Sequence, residues 1–275
     1  MLLAFVAFSF AANAQSAQPT NNILFRTVMI RSKFEAGTMF SIEVDDHEYW
    51  LTAKHILTGL KTLPAGEVSE KNVSLDVLNP VGDAITWSTF QFAVIDPGKD
   101  IDIVVLVPTM KLLDVSVRSL KVYTDNIGLG QECSFLGFPY TSAWTATFSN
   151  SGQYKMPFIK HCYISGIITT AANAHILVLD GINNPGFSGG PVLFHTGPDQ
   201  VVLGVISGYR NEPGEVHSIE IPELPTAVQA PDNKKPKYTK KDVVDLNTGI
   251  IIAFMADAAI DAIKKNPIGR EVEVK

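Results

Sequence analysis

From Ile23 onward the chain is written in short β-rich runs separated by turn residues, and that punctuation restricts its fold more than any other feature. Residues 38–44, 49–52, 73–78 and 103–107 form one series of such runs. Residues 132–136, 158–168, 175–179, 191–194 and 201–207 form a second. Short strands with frequent turns predict an all-β sandwich or barrel. The alternation of strand and helix that builds a parallel sheet is missing throughout. The two series part near residues 111–119, which predicts two β-rich halves, 23–115 and 116–265, with no sequence repeat between them. A length of 275 residues suffices for one large domain or two compact halves with real cores.

Finer local signals sit on this frame. Asp45-Asp46-His47-Glu48 reads as the turn between the first two runs. A brief helical turn is expected after His55, ended by Gly59. Residues 212–241 are rich in Pro, Glu and Lys and read as a long surface loop or insertion. Strand pattern returns at 249–254, and 256–265 has apolar residues at helical spacing. Lys264 and Lys265 suit that helix's C-terminal end, and Pro267 stops it.

Composition narrows the classes of function. A hydrophobic content of 46% with 18% charged residues fits a globular chain, not a disordered one. A formal charge of −6, with no basic stripe, argues against a nucleic-acid partner. Residues 1–14 are a short apolar run ending in Ala12-Asn13-Ala14, and they read as a secretory signal peptide cut after Ala14. No Lys or Arg precedes the run, and a buried N-terminal helix is the competing reading. The run is too short for a stable membrane anchor. The expectation is therefore an exported protein, periplasmic or secreted. Export would permit a disulfide between the two cysteines, Cys133 and Cys162, and buried free thiols fit equally well. No Cys/His spacing suggests a metal site.

Three short stretches carry chemistry. Asn184-Pro185-Gly186-Phe187-Ser188-Gly189-Gly190-Pro191 sets a serine among glycines, in a loop opened and closed by proline. Such a loop can hold a hydroxyl outward with bare backbone N–H groups beside it, the pairing that acyl transfer needs. The Gly-x-Ser-x-Gly spacing also fits the nucleophile elbow of α/β-hydrolases, but that elbow requires a helix after the serine. Pro191-Val192-Leu193-Phe194 follows instead, which is β-rich. Upstream, Leu51-Thr52-Ala53-Lys54-His55 places a histidine just past a β-rich run. Asp100-Ile101-Asp102-Ile103-Val104-Val105-Leu106 places a carboxylate at the start of an apolar strand, where burial demands a hydrogen-bond donor. A histidine N–H is such a donor.

Taken in order, these stretches resemble the trypsin/chymotrypsin-like serine peptidase family, and bacterial exported members most of all. The resemblance implies two antiparallel β-barrels with a C-terminal helix and a catalytic cleft between them. It implies that Ser188 is the nucleophile, His55 the general base and Asp102 the residue that orients the imidazole, by the logic of the Ser-His-Asp triad. Asp100 competes for the last role; Asp102 is preferred because residues 103–106 then align with the family's apolar strand. The N–H groups of Gly186 and Ser188 would form the oxyanion hole. Ile182, six residues before the serine, would line the specificity pocket. Ser207, Gly208 and Tyr209 would pair with substrate as an added strand. Ile182 has no charge to offer a basic side chain, so the pocket is expected to take small or medium apolar groups. The expected partner is a peptide or unfolded protein, without metal or cofactor. A peptidase fold that binds peptides without turnover is the alternative.

Two departures from the family matter. Trypsin carries an acid before the serine that binds the new N-terminus on activation; here Phe187 stands there. Cys133 resembles a family cysteine, but its usual partner position holds Phe194, so any bridge would have to join Cys133 to Cys162.

Overall fold

The computed structural model describes residues 20–272, except 62–63, 83, 114–116, 149–151, 172, 197–198 and 220–237. The expected signal peptide, 1–14, lies outside the described residues. After a short helix α1 (Asn21–Phe25), the first half contains β1 (Thr27–Arg31), β2 (Ala36–Val44), β3 (His47–Thr52), β4 (Asn72–Leu78), β5 (Trp87–Ile95) and β6 (Val104–Pro108). A single helical turn, α2 (His55–Thr58), follows β3. The strands pair antiparallel in the order β1-β2-β3-β6-β5-β4, and β4 returns to β1. The sheet is therefore a closed ring.

The second half begins with the short β7 (Leu120–Lys121), which adds to the edge of β2. It continues through β8 (Glu132–Gly137), the hairpin β9 (Trp144–Phe148) and β10 (Gly152–Met156), then β11 (Phe158–Thr169), β12 (His175–Asp180), β13 (Pro191–Thr196), β14 (Asp199–Ile219) and β15 (Tyr238–Met255). Strands β11-β12-β15-β14-β13-β8 form a closed barrel. Helix α3 (Asp257–Lys265) follows, and β16 (Arg270–Glu271) ties the chain's end to β3. The expected two-barrel fold with a C-terminal helix is what the chain adopts.

Period-2 alternation explains how two rings share one molecule. In β6, Val104 and Leu106 point into the first ring's core, while Val105 and the preceding Ile103 join a cluster shared by both rings. In β8, Phe135 fills the second core and Leu136 the shared cluster. In β14, Ile206 and Val205 divide the same way. Strands at the junction are apolar on both faces, which is why they read as unbroken hydrophobic runs. Ala259 and Ile263 of α3 close the shared cluster. Burial of each such Val, Leu, Ile or Phe is worth about 1.5–3 kcal/mol against exposure, so the junction welds the halves.

Two expectations are corrected. The β2–β3 turn is tighter than the sequence suggests: His47 and Glu48 already belong to β3. Only Asp45 and Asp46 form the turn, both at positive φ (49° and 60°), the geometry of a two-residue hairpin. The segment 212–241 is not a loop from end to end. Pairing of β14 with β15 runs out from the barrel through Asn211↔Asn247 to Ile219↔Tyr238; 220–237 lies outside the described residues. Where its side chains are described, at 211–214 and 244–247, the ribbon is exposed or half-buried, so no buried apolar face marks it there and its composition imitates a loop. Pro213 is tolerated because such a ribbon has outer edges that need no N–H partner.

Candidate active site

His55, Asp102 and Ser188 come from the ends of strands that the junction holds together. His55 opens α2 immediately after β3; Gly59, at φ +74°, closes that turn, and its N–H donates to His55 O. Asp102 precedes β6, the antiparallel partner of β3. Both side chains are buried, at 5% and 4% exposure for the residues. The carboxylate grips the histidine twice: Oδ2 lies 2.7 Å from His55 Nδ1, and Oδ1 accepts the His55 backbone N–H at 2.8 Å. This pair of bonds orients the imidazole and satisfies a carboxylate that burial would otherwise penalise. Asp100 makes no hydrogen bond to the histidine among the described residues; Asp102 is the carboxylate that meets it.

The Ser188 loop joins β12 to β13. Asn184-Pro185-Gly186-Phe187 forms a turn closed by Phe187 N–H to Asn184 O at 3.3 Å. Proline second and glycine third, with Gly186 at φ +99°, is the signature of a type II turn. A Cβ on Gly186 would fall 2.2 Å from Phe138 O. Among the described residues, neither the Gly186 nor the Ser188 N–H is taken by another hydrogen bond. The loop is also stitched to the first ring: Thr38 N–H donates to Ser188 O at 2.8 Å, and Thr38 Oγ1 to Gly186 O at 2.8 Å.

Ser188 and His55 are connected through a third residue. Ser188 Oγ donates to Ser207 O at 3.2 Å, and Ser207 Oγ donates to Asp102 Oδ2 at 2.5 Å. The chain of contacts runs Ser188–Ser207–Asp102–His55. No direct bond links Ser188 Oγ to His55 Nε2 among the described residues. The other ring nitrogen, Nε2, instead has Glu35 Oε2 at 3.9 Å. That oxygen is buried and lacks a hydrogen-bond partner among the described residues, while Oε1 of the same group takes Lys61 Nζ at 2.7 Å.

The residues expected to meet substrate are brought together along one side. Ser207, Gly208 and Tyr209 lie on β14, paired with β15 through irregular registers. A side chain on Gly208 would meet nothing within 4 Å, so the strand faces open space there. Ile182 is 55% exposed, so its side chain does not lie on a closed floor. Its Cδ1 would be 3.8 Å from a Cβ on Gly249.

Several contributors escape the sequence. Its pattern points to Ser207 only as a substrate-pairing residue, yet the Ser207 hydroxyl holds Asp102. Lys54 is fully buried beside His55. Its Nζ pairs with Asp96 Oδ1 at 2.6 Å and donates to Gly98 O at 2.5 Å, fixing the loop that leads to Asp102. A lysine directly before the histidine, at the end of a β-rich run, is the available signal. Glu35, in the β1–β2 connection, has none.

Two six-stranded antiparallel rings meet along a shared apolar seam, with the histidine and aspartate on one and the serine on the other. The fold is chymotrypsin-like. No family model and no curated protein matches the sequence. Among solved structures, the chain is similar to the Rv3671c protease of M. tuberculosis in an inactive form, at 16% identity and TM-score 0.46, over 88% of this chain and 89% of that one. It is also similar to the HtrA-type protease AlgW with a tripeptide, at 15% identity and TM-score 0.48, over 89% of this chain and 60% of that one. The likeness to Deg5 covers 67% of this chain and 80% of that one, at 17% identity and TM-score 0.43. Among the described residues, no cluster of His, Cys, Asp and Glu is placed to hold a metal ion, and no helix is long and apolar enough to cross a membrane.

Proposed function

We propose that the chain is a serine endopeptidase acting through an acyl-enzyme. One observation supports this reading above the rest: a buried carboxylate grips His55 at both Nδ1 and the backbone N–H, while the same carboxylate takes Ser207, whose carbonyl holds Ser188 Oγ. In the reaction, rotation about the Ser188 Cα–Cβ bond moves Oγ from Ser207 O to His55 Nε2. Catalytic hydrogen bonds of this kind commonly tighten only when substrate is present. His55 takes the hydroxyl proton as Oγ attacks the peptide carbonyl. The N–H groups of Gly186 and Ser188 receive the oxyanion. Asp102 stabilises the imidazolium, and the Glu35 carboxylate near Nε2 adds to that field. His55 then protonates the leaving amine; a water molecule repeats the sequence and releases the acid.

Substrate would lie as an extended strand against Ser207, Gly208 and Tyr209. Ile182 and the bare backbone of Gly208 and Gly249 favour an apolar residue of small or medium size on the acyl side. The proposal extends to export, on the strength of the N-terminal apolar run; sequencing of the mature N-terminus would show Gln15 first. Cleavage of a peptide library tests the activity, with Ser188→Ala as control. Scission after apolar residues, lost in the variant, is expected. Preference for Lys or Arg would overturn the pocket, and no cleavage by folded wild-type protein would overturn the peptidase.

A second reading has an observation in its favour. With Ser188 Oγ on Ser207 O and Glu35 beside Nε2, the present arrangement is poised for binding rather than attack. On that reading the chain holds peptides without cutting them. A peptide that binds with micromolar affinity but survives prolonged incubation would support it.

A further inference from the structure

The turn that would receive the oxyanion is held from beneath by a cation. Lys160 lies on β11, and its Nζ donates to Ile182 O at 2.7 Å and to Asn184 Oδ1 at 2.5 Å. The same ammonium sits 5.2 Å from the centroid of the Phe187 ring. It thus touches the first residue of the turn, the residue two positions before it, and the residue just before Ser188. The Asn184 amide is locked at both ends, since its Nδ2 donates to Tyr140 Oη at 3.1 Å. The Asn184 backbone N–H is used as well, by Asn183 Oδ1 at 2.8 Å. The turn's outer carbonyl is also fixed, with Tyr140 N–H on Pro185 O at 2.8 Å. Phe187 packs edge-on against Phe135 of the second core, at 5.1 Å between centroids. Burial lowers the pKa of Lys160, so the charged amine is kept there against a desolvation cost. The two oxygens and the aromatic face offset that cost.

We propose that Lys160 is a positioning residue of the oxyanion turn: its ammonium ties Asn184 and Ile182 to β11, under Phe187, so that the Gly186 N–H stays aimed at the acyl oxygen. The inference rests on the peptidase reading. It gives a physical substitute for the acid that Phe187 replaces. Where trypsin orders this loop with an ion pair made on activation, this chain orders it with a lysine already in place, and needs no cut to do so.

The role predicts an effect on the transition state and none on ground-state binding. Lys160→Met should lower kcat by about a hundredfold, the scale of losing one oxyanion donor, with KM unchanged. Affinity for a peptide boronic acid, whose tetrahedral adduct uses the oxyanion site, should fall by a similar factor. Binding of the same peptide as a free acid to Ser188→Ala protein should be equal with and without the added Lys160→Met change. Lys160→Arg should restore most of the activity, because Arg keeps a charged donor. If Lys160→Met does not fold, Lys160→Gln supports the same comparison. Loss of kcat without loss of boronate affinity would overturn the inference, as would a folded variant with kcat within twofold of wild type. Failure of wild-type protein to turn over any peptide would instead end the underlying peptidase reading, which separates the two outcomes.

Discussion

Asp102 is the residue on which the candidate site turns. It accepts from His55 twice and from Ser207 once, all in a buried setting. Asp102→Asn would keep the volume but offer an amide N–H where Nδ1–H needs an acceptor, favouring the wrong tautomer. A loss of about 10⁴ in kcat is expected, measured against a cleavable peptide, with little change in melting temperature. Lys54 acts on stability instead. Lys54→Met would leave Asp96 without its cation beneath the loop that carries Asp102, at a cost of about 3 kcal/mol in denaturant unfolding. The two thiols give a third test. Burial pushes Cys133 up to about 12 and Cys162 higher still. Both are free and face each other across β8 and β11. Folded protein at pH 8 should therefore react slowly with a thiol reagent, and unfolded protein rapidly. The sign for stability follows: the unfolded thiols ionise first, so stability is unaffected below the ordinary thiol range and falls as pH rises from there toward 12.

At the scale of elements, the glycines after Ser188 do what side chains would prevent. A Cβ on Gly189, at φ +82°, would fall 2.1 Å from Thr38 O. One on Gly190 would fall 1.9 Å from Leu136 O. Both neighbours are backbone, so neither can yield cheaply. Gly190→Ala should destabilise by about 3 kcal/mol or more by pushing the Ser188 loop off β8 within the second ring, seen as a lower unfolding midpoint. Sequence pattern reaches these elements unevenly. The strands at the seam, such as residues 103–106, are legible because burial on two faces leaves an unbroken apolar run. The outer ribbon of β14 and β15 is not: its described side chains, at 211–214 and 244–247, are exposed or half-buried, and no buried face imposes alternation there. His55, Asp102 and the Ser188 loop stand out through local motifs. Ser207, Glu35 and Lys160 reach the site only through folding: each is separated from its partner by tens of residues or more, and no local pattern ties them together.

For the whole molecule, the shared apolar cluster makes the two rings one mechanical unit around the site. The strap formed by α3 and β16 runs from the second ring back to β3 of the first, with Arg270 opposite Glu48. The ribbon beyond Asn211 and Asn247 stands outside that unit, and Glu212, Leu246 and Val244 are exposed on it. Replacing residues 213–245 by a short turn should therefore leave the melting temperature within a few degrees of wild type. A large fall would show that the ribbon is part of the core. The central claim concerns a nucleophile at Ser188 activated by His55. Intact-mass analysis after treatment with a fluorophosphonate measures it most directly. The expected result is a single adduct, mapped to Ser188 by digestion and lost in His55→Ala. A folded wild-type protein that takes no adduct, or takes it at another residue, would contradict the claim.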